Sequence, residues 1–338
     1  MTTSLVPPNA GGPPPAEAPP ALARASALLA PAMETAVERL DPSLRDPARH
    51  HLAGGGKHVR AGLVLLASAA VGGSDDGALA GAVAVELVHN YSLLHDDIID
   101  GDRERRHRPT VWARYGVGVA IVLGDALAAL AMQLLLDEGA PRHVRAAQLL
   151  ADANQQMIGG QSADMVFEGR ATVGVEECLA MERGKTGALL SAACAMGAAL
   201  GGGTEEQVGR LAAYGEDLGI AFQAVDDLLG IWGQPTRTGK PVGADLLARK
   251  KTLPVSVAMA TGGEGAAELE AILGAELTET QVARATHLVE ATGAREAVTA
   301  IADDHLQAAL AALDDADLER GPKEELMAVA RYVTARDR

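Results

Sequence analysis

Two apolar stretches of this chain each end in a cluster of aspartates. The first, ELVHNYSLLHDDIID (residues 86–100), carries Asp96, Asp97 and Asp100, and Arg103, Arg105 and Arg106 follow directly. The second, GIAFQAVDDLLG (residues 219–230), carries Asp226 and Asp227. With helical periodicity Asp96 and Asp100 lie one turn apart on one face, and His89 and Ser92 continue that stripe towards the helix start. Gly219, Gln223, Asp226 or Asp227, and Gly230 share a face of the second segment. Carboxylates at a helix C-terminus repel one another and oppose the helix dipole, a cost best tolerated where a cation neutralises them. Oxygen donors at i and i+4 suit Mg²⁺, which keeps most of its waters and bridges to phosphate oxygens. A lone acid pair reads as a solvated helix end. Two pairs on separate apolar helices read as facing ends of a cleft, where about two or three divalent ions hold a polyphosphate.

The net charge of −16 over 338 residues argues against nucleic acid and anionic membrane surfaces as partners. In so acidic a chain the basic islands at 103–108 and 248–251 read as sites for a small, highly charged anion; the plainer alternative is a solvated helix end. Cys178 and Cys194 show no metal-type spacing and are expected as free thiols in a reducing cytoplasm. No charged region followed by an apolar one marks a secretory signal, so the expected location is cytoplasmic. The stretch 117–136 has the length of a membrane span. Asp125 near its middle is expensive in lipid, and the expectation is a buried bundle helix without stable membrane insertion.

The elements that must position these residues are helices. Apolar residues recur three and four apart along most of the chain, and no convincing alternating strand is found. Thr204 with Gln207, and Thr278 with Gln281, have capping-box spacing, and Gly101 is a natural terminator after the first acid cluster. Residues 1–20, rich in Pro, Gly and Ala, read as a disordered tail. Residues 21–338 are expected to form a single all-α domain, a large bundle of roughly a dozen helices with short connections around a central cavity.

Taken in order, the motifs resemble the trans-isoprenyl diphosphate synthases of the polyprenyl synthetase family. GGGKHVRAGLVLLA (54–67), ELVHNYSLLHDDIID (86–100), RRHRPT (105–110), KTG (185–187), FQAVDDLLG (222–230) and TGKPVGADLLARKKTLP (238–254) each match a family stretch. The resemblance implies an isoprenoid-synthase helical bundle, a homodimer whose interface the apolar stretch 117–136 fits, with burial inside the monomer as the alternative, and Mg²⁺-dependent condensation of isopentenyl diphosphate with an allylic diphosphate. It implies metal ligation by Asp96, Asp100 and Asp226, with Asp227 nearby. Arg105, Lys185, Thr186, Gln223 and Lys240 match positions that hold the allylic substrate. Lys57, Arg60, His89 and Arg106 match the isopentenyl diphosphate pocket, and Lys250 a lysine at the diphosphate end. Tyr91 and Ser92, just below the first acid motif, match positions that set chain length; a single aromatic there resembles synthases that stop at geranylgeranyl diphosphate, with farnesyl diphosphate as the alternative.

The chain departs from the pattern at Gly230, where many relatives carry a third aspartate, and at His58, Val59 and Ala61 in the first motif. Two rival functions remain at this point. A terpene cyclase has no need of a second diphosphate pocket and steadies carbocations on aromatic faces, whereas aromatics are 2 % of this chain. A non-catalytic partner subunit typically loses the aspartates retained here.

Overall fold

The computed structural model describes residues 18–234, 242–275 and 277–335. The chain folds as α1 (Pro20–Val37), α2 (Pro42–Leu52), α3 (Val59–Ala70), α4 (Asp75–Ile99), α5 (Val111–Tyr115), α6 (Val117–Leu136), α7 (Pro141–Glu168) and α8 (Val175–Glu182). There follow α9 (Ala188–Gly201), α10 (Glu205–Trp232), α11 (Ala244–Leu247), α12 (Leu253–Ala260), α13 (Gly263–Leu273), α14 (Glu279–Ala291), α15 (Ala294–Asp314) and α16 (Arg320–Thr334). The architecture is all-α, as expected, with sixteen α-helices among the described residues where roughly a dozen were expected. Among the described residues the single sheet is a hairpin of β1 (Glu104–Arg105) and β2 (Arg108–Pro109).

The Ala- and Gly-rich composition sets how closely the helices cross. A Cβ on Gly197 of α9 would lie 2.2 Å from the Val64 carbonyl oxygen of α3, and one on Gly215 of α10 would lie 2.4 Å from the Leu190 carbonyl oxygen of α9. α9 is therefore in backbone contact with a helix on each side, which only glycine permits. Helix α4 runs beside them, packed against α3, α6 and α9. Both capping boxes are present: Gln207 N–H donates to Thr204 Oγ1 and Gln281 N–H to Thr278 Oγ1.

The end of α4 is defined by its last turn. Gly101 takes a left-handed φ of 69°. Its N–H donates to the Ile98 carbonyl at 3.3 Å, and the Asp102 N–H to the Asp97 carbonyl at 2.9 Å, a Schellman closure. The chain then enters the hairpin, whose two turn residues, Arg106 and His107, have φ of 51° and 60°. Two positive φ values make the type I′ geometry that a two-residue hairpin prefers, strained for non-glycine residues and held by the surroundings.

Two helices, Asp75–Ile99 and Val117–Leu136, are long and apolar enough to cross a membrane. The first is a core helix whose end carries the acid cluster. The second is only partly buried within the chain: α6 packs on α4 along one side, while Ile121, Val122 and Leu136 are exposed on the other, which departs from a fully buried bundle helix and leaves the interface reading of this stretch open. Cys178 and Cys194 are buried free thiols, as expected.

Candidate active site

The stop at Gly101 leaves Asp96, Asp97 and Asp100 in the last turn of α4 and returns the arginine hairpin over it. Asp97 faces inward, 1 % exposed, and its Oδ1 accepts from Arg105 Nε at 2.7 Å. Burial raises the Asp97 carboxyl above its ordinary range and Arg105 only partly offsets this. Asp96 and Asp100 share the adjacent face of the turn, about 100° and 60° round from Asp97. Burial also raises Asp96, helped by Asp100 and Asp164, while Lys185 and Arg105 pull it back.

A cavity of about 1050 Å³ opens beside this turn, and Lys57, Arg60, His89, Arg105, Arg106 and Asp226 are among its lining residues. Arg60 comes from the start of α3, where Glu86 of α4 fixes the backbone: Glu86 Oε1 accepts from the Ala61 N–H at 3.2 Å, and Oε2 lies 3.4 Å from His58 Nδ1. The Arg60 Nε is buried without a hydrogen-bond partner among the described residues. Burial depresses its pKa, opposed by Glu86. Arg106 Nη1 reaches the Gly54 carbonyl at 3.4 Å, and Lys57 Nζ lies 4.8 Å from the Tyr332 ring centroid on α16. His89 is held well below its ordinary pKa by burial and then by Arg60 and Arg105. His51, which lines the same cavity, is pushed down to about 4 by burial and Arg105. Both imidazoles are thus neutral at pH 7 and can donate to an anion without competing charge. Cations outnumber acids in the cavity's lining, a charge balance suited to an anion.

A second cluster lies at the same end of the bundle. Between α8 and α9 the chain makes one π-helical turn, Arg183–Gly187, which carries Lys185 and Thr186. It is wedged between α7 and α10: a Cβ on Gly160 would lie 2.3 Å from the Lys185 nitrogen, and one on Gly219 would lie 2.5 Å from Gly187 Cα. Lys185 Nζ donates to Asp164 Oδ2 at 2.5 Å, and Lys250 Nζ lies 3.7 Å from Asp100 Oδ2. Burial lowers the Lys250 pKa, but Asp100, Asp245, Asp164 and Asp102 outweigh it, so the ammonium stays charged. Thr186 Oγ1 donates to Gln223 Oε1 at 2.9 Å, and Gln223 Nε2 to Asp227 Oδ1 at 2.8 Å.

Comparison with known proteins decides the family. A family model described as polyprenyl synthetase matches residues 41–291. A geranylgeranyl diphosphate synthase and a (2E,6E)-farnesyl diphosphate synthase of Mycobacterium tuberculosis are 43% and 40% identical over 332 and 333 residues, each covering 94% of this chain and 93% of the relative. A crystal structure of a polyprenyl synthetase from Streptomyces coelicolor A3(2) superposes with a TM-score of 0.90 at 43% identity, covering 93% of this chain and 98% of that one. The chain belongs to the polyprenyl synthetase family. It is an enzyme, a short-chain prenyl diphosphate synthase, and its relatives include both farnesyl and geranylgeranyl types.

Most residues expected to act in this polyprenyl synthetase come together in the two clusters. Asp227 does not fit a metal-ligand role. It is 5% exposed, its Oδ2 accepts from the Leu253 N–H at 2.8 Å, and burial raises both its carboxyl and that of neighbouring Glu182. Burial and the neighbouring Asp227 charge keep Glu182 protonated. Asp227 thus holds Gln223, and through it Thr186, while exposed Asp226 faces the cavity. Ser92 Oγ donates to its own helix at the His89 carbonyl, 2.8 Å away, and Tyr91 is buried with its hydroxyl on Asn154. Lys240 lies outside the described residues, as do residues 1–17 of the expected tail. Sequence reading gave no role to Asp97, Asp164, Glu86 or His51. An arginine eight residues after Asp97 hinted at the first pairing; nothing local marks the other three.

Asp96, Asp100 and Asp226 offer oxygen donors only, the set that a hard divalent cation takes. Among the described residues no three acid, histidine or cysteine side chains converge closely enough to hold a metal alone. That fits an ion held largely by water and by substrate phosphate oxygens.

Proposed function

We propose that this synthase joins isopentenyl diphosphate to an allylic diphosphate in a Mg²⁺-dependent reaction, giving an all-trans geranylgeranyl diphosphate. The observation that carries the reading is the pair of anion sites sharing Arg105: the cation-lined cavity, and the acid–lysine cluster of Asp96, Asp100, Lys185 and Lys250. A cyclase needs only the second, and a partner subunit needs neither, so both rivals leave the cavity unexplained.

Asp96, Asp100 and Asp226 are the residues that would hold Mg²⁺, about two or three ions. Bound there, it neutralises charge on the allylic diphosphate and makes it a better leaving group. Lys185, Lys250 and Arg105 add fixed positive charge around the same diphosphate, and Thr186 and Gln223 are positioned to hydrogen-bond it. Lys240 is assigned to the same group by its motif alone. Lys57, Arg60, Arg106 and neutral His89 hold isopentenyl diphosphate in the cavity. The allylic C–O bond breaks, the alkene of isopentenyl diphosphate attacks C1 of the cation, and a proton leaves the adduct for the released diphosphate. No protein nucleophile takes part; the chain's task is to orient two anions and keep water from the cation.

Tyr91 lies five residues before Asp96 on α4, about 7 Å along the axis. Its ring is buried, meets His95 edge-on at 5.6 Å between centroids, and is tied to α7 through Asn154. Such a ring is a fixed floor under a growing chain, with twenty carbons as the stop and fifteen as the alternative. The exposed apolar residues Ile121 and Val122 on α6, and Ile158 and Val166 on α7, fit burial by a second copy in a homodimer. The setting is read as cytoplasmic. The test is a product assay. Purified protein with Mg²⁺ and isopentenyl diphosphate receives dimethylallyl, geranyl or farnesyl diphosphate, and the dephosphorylated products are sized. A twenty-carbon linear alcohol is expected. A hydrocarbon released without elongation would mean a cyclase, and no turnover with any starter would mean a partner subunit.

A further inference from the structure

His95 precedes Asp96 in the chain but is turned about 100° from it on α4, and its ring stands against α6 instead. Its Nε2 lies 3.2 Å from the Ile121 carbonyl, a pure acceptor, so the imidazole carries its proton on Nε2 and donates it there. Asp125 Oδ1 is 4.0 Å from the same nitrogen, on a side chain 71% exposed where water screens it. The ring has room because position 124 is glycine: a Cβ there would lie 2.2 Å from His95 Nε2 and 2.7 Å from its Cδ2. Gly118, on the same helix, has open space around it, so the need for glycine is local to the imidazole.

Tyr91 stands one turn before His95 on α4. The two rings meet edge-on, 5.6 Å between centroids and 73° between planes. The Tyr91 hydroxyl is tied to Asn154 of α7. A tie at the hydroxyl alone leaves an aromatic ring free to tilt about that end; a second contact, from a side chain that is itself bonded to another helix, stops the tilt. Tyr91 is thus braced from α7 at its tip and from α6 through His95.

We propose that His95 is a positioning residue for product length: held on α6 by the Ile121 carbonyl and by the absence of a side chain at Gly124, it keeps the Tyr91 ring in place under the growing chain. This rests on the reading of Tyr91 as the floor of the site.

The test sizes dephosphorylated products made from isopentenyl diphosphate and an allylic diphosphate with Mg²⁺, for the wild-type chain and for Tyr91→Ala, His95→Ala, His95→Gln and Gly124→Ala. Thermal melts accompany each. His95→Ala removes the brace, and Gly124→Ala displaces it while leaving His95 in the sequence, so the two act by independent routes. Both are expected to raise the ratio of longer to wild-type-length product by about tenfold, the equivalent of ~1.4 kcal/mol. His95→Gln, whose side-chain amide can reach the Ile121 carbonyl, should bring the ratio back towards the wild-type value. If either alanine variant fails to fold, the other decides alone. Lower melting temperatures with unchanged product length in His95→Ala and Gly124→Ala, beside longer product in Tyr91→Ala, overturn the role of His95 and leave Tyr91 as the floor. Unchanged product length in Tyr91→Ala overturns the floor, and this inference with it.

Discussion

Replacing Asp97 by asparagine separates what the first acid cluster does for catalysis from what it does for stability. The Asp97 carboxylate is 1 % exposed, receives Arg105 Nε at 2.7 Å, and has its second oxygen buried without a partner among the described residues. Its pKa is raised because burial outweighs the arginine. An acid whose folded pKa lies above its unfolded one loses stability as pH rises through the folded value, so at pH 7 the ionised group is a net cost to folding. Asparagine keeps the shape and removes the charge. The stability of Asp97→Asn is therefore expected to stay within about 1 kcal/mol of wild type, or to rise. Arg105 fares differently. A hydrogen bond to a charged partner contributes about 1.5–3 kcal/mol and a neutral one about 0.5–1.5, so the variant loosens the guanidinium by about 1 kcal/mol or more.

At about 1.4 kcal/mol per tenfold, that is roughly a five- to tenfold rise in KM for the allylic substrate. Asp97 acts through Arg105, so the rise should disappear in an Arg105→Ala background while the melting temperature stays put. Steady-state kinetics on the two single variants and the double, beside thermal melts, supply the readout. A melting temperature that falls by several degrees with both KM values unchanged would refute the argument, because Asp97 would then be a structural anchor only. Additive kinetic effects in the double variant would refute the coupling.

Three further outcomes follow from the same geometry. Gly160→Ala places a Cβ 2.3 Å from the Lys185 nitrogen, and overpacking of that kind costs about 1–3 kcal/mol; calorimetry should show a lower melting temperature, and kinetics a weakened allylic site, whereas Gly159→Ala, with open space around it, should show neither. His51 titrates near 4 in the fold against 6.5 in the unfolded chain, so its contribution is present above pH 6.5 and lost as pH falls towards 4, a change of at most about 3 kcal/mol. Denaturant midpoints between pH 7 and 4 should follow that fall, and His51→Gln should flatten it; a profile of unchanged slope in the variant would contradict the assignment. Tyr91→Ala should lengthen the product beyond twenty carbons in the prenyl-alcohol assay, and an unchanged product length would remove Tyr91 as the floor.

What the sequence made legible was whatever repeats at helical spacing. The acid pair Asp96 and Asp100, the stripe back to His89, the capping boxes and the stop at Gly101 are all local, and all are found in place. Periodicity also fixed the helical class, since the apolar residues that define it are the ones buried. The misses share a different property: each depends on a partner far along the chain. Nothing near Asp164 announces that Lys185 will close on it, because a one-turn π-helix held by Gly160 and Gly219 brings the lysine there. Glu86 resembles any acid on a long helix until α3 is packed beside it and its two oxygens take the Ala61 amide and the His58 ring. Asp226 and Asp227 have the same residue type and adjacent positions, and only the 100° between them on α10 sends one to solvent and the other to Leu253 and Glu182. Gly230 carries this furthest, because position by position the motif lacks an acid there, while in space the volume holds the carboxylate of Asp245. A linear motif counts residues along one helix, whereas the segments packed against that helix decide what fills the space beside it.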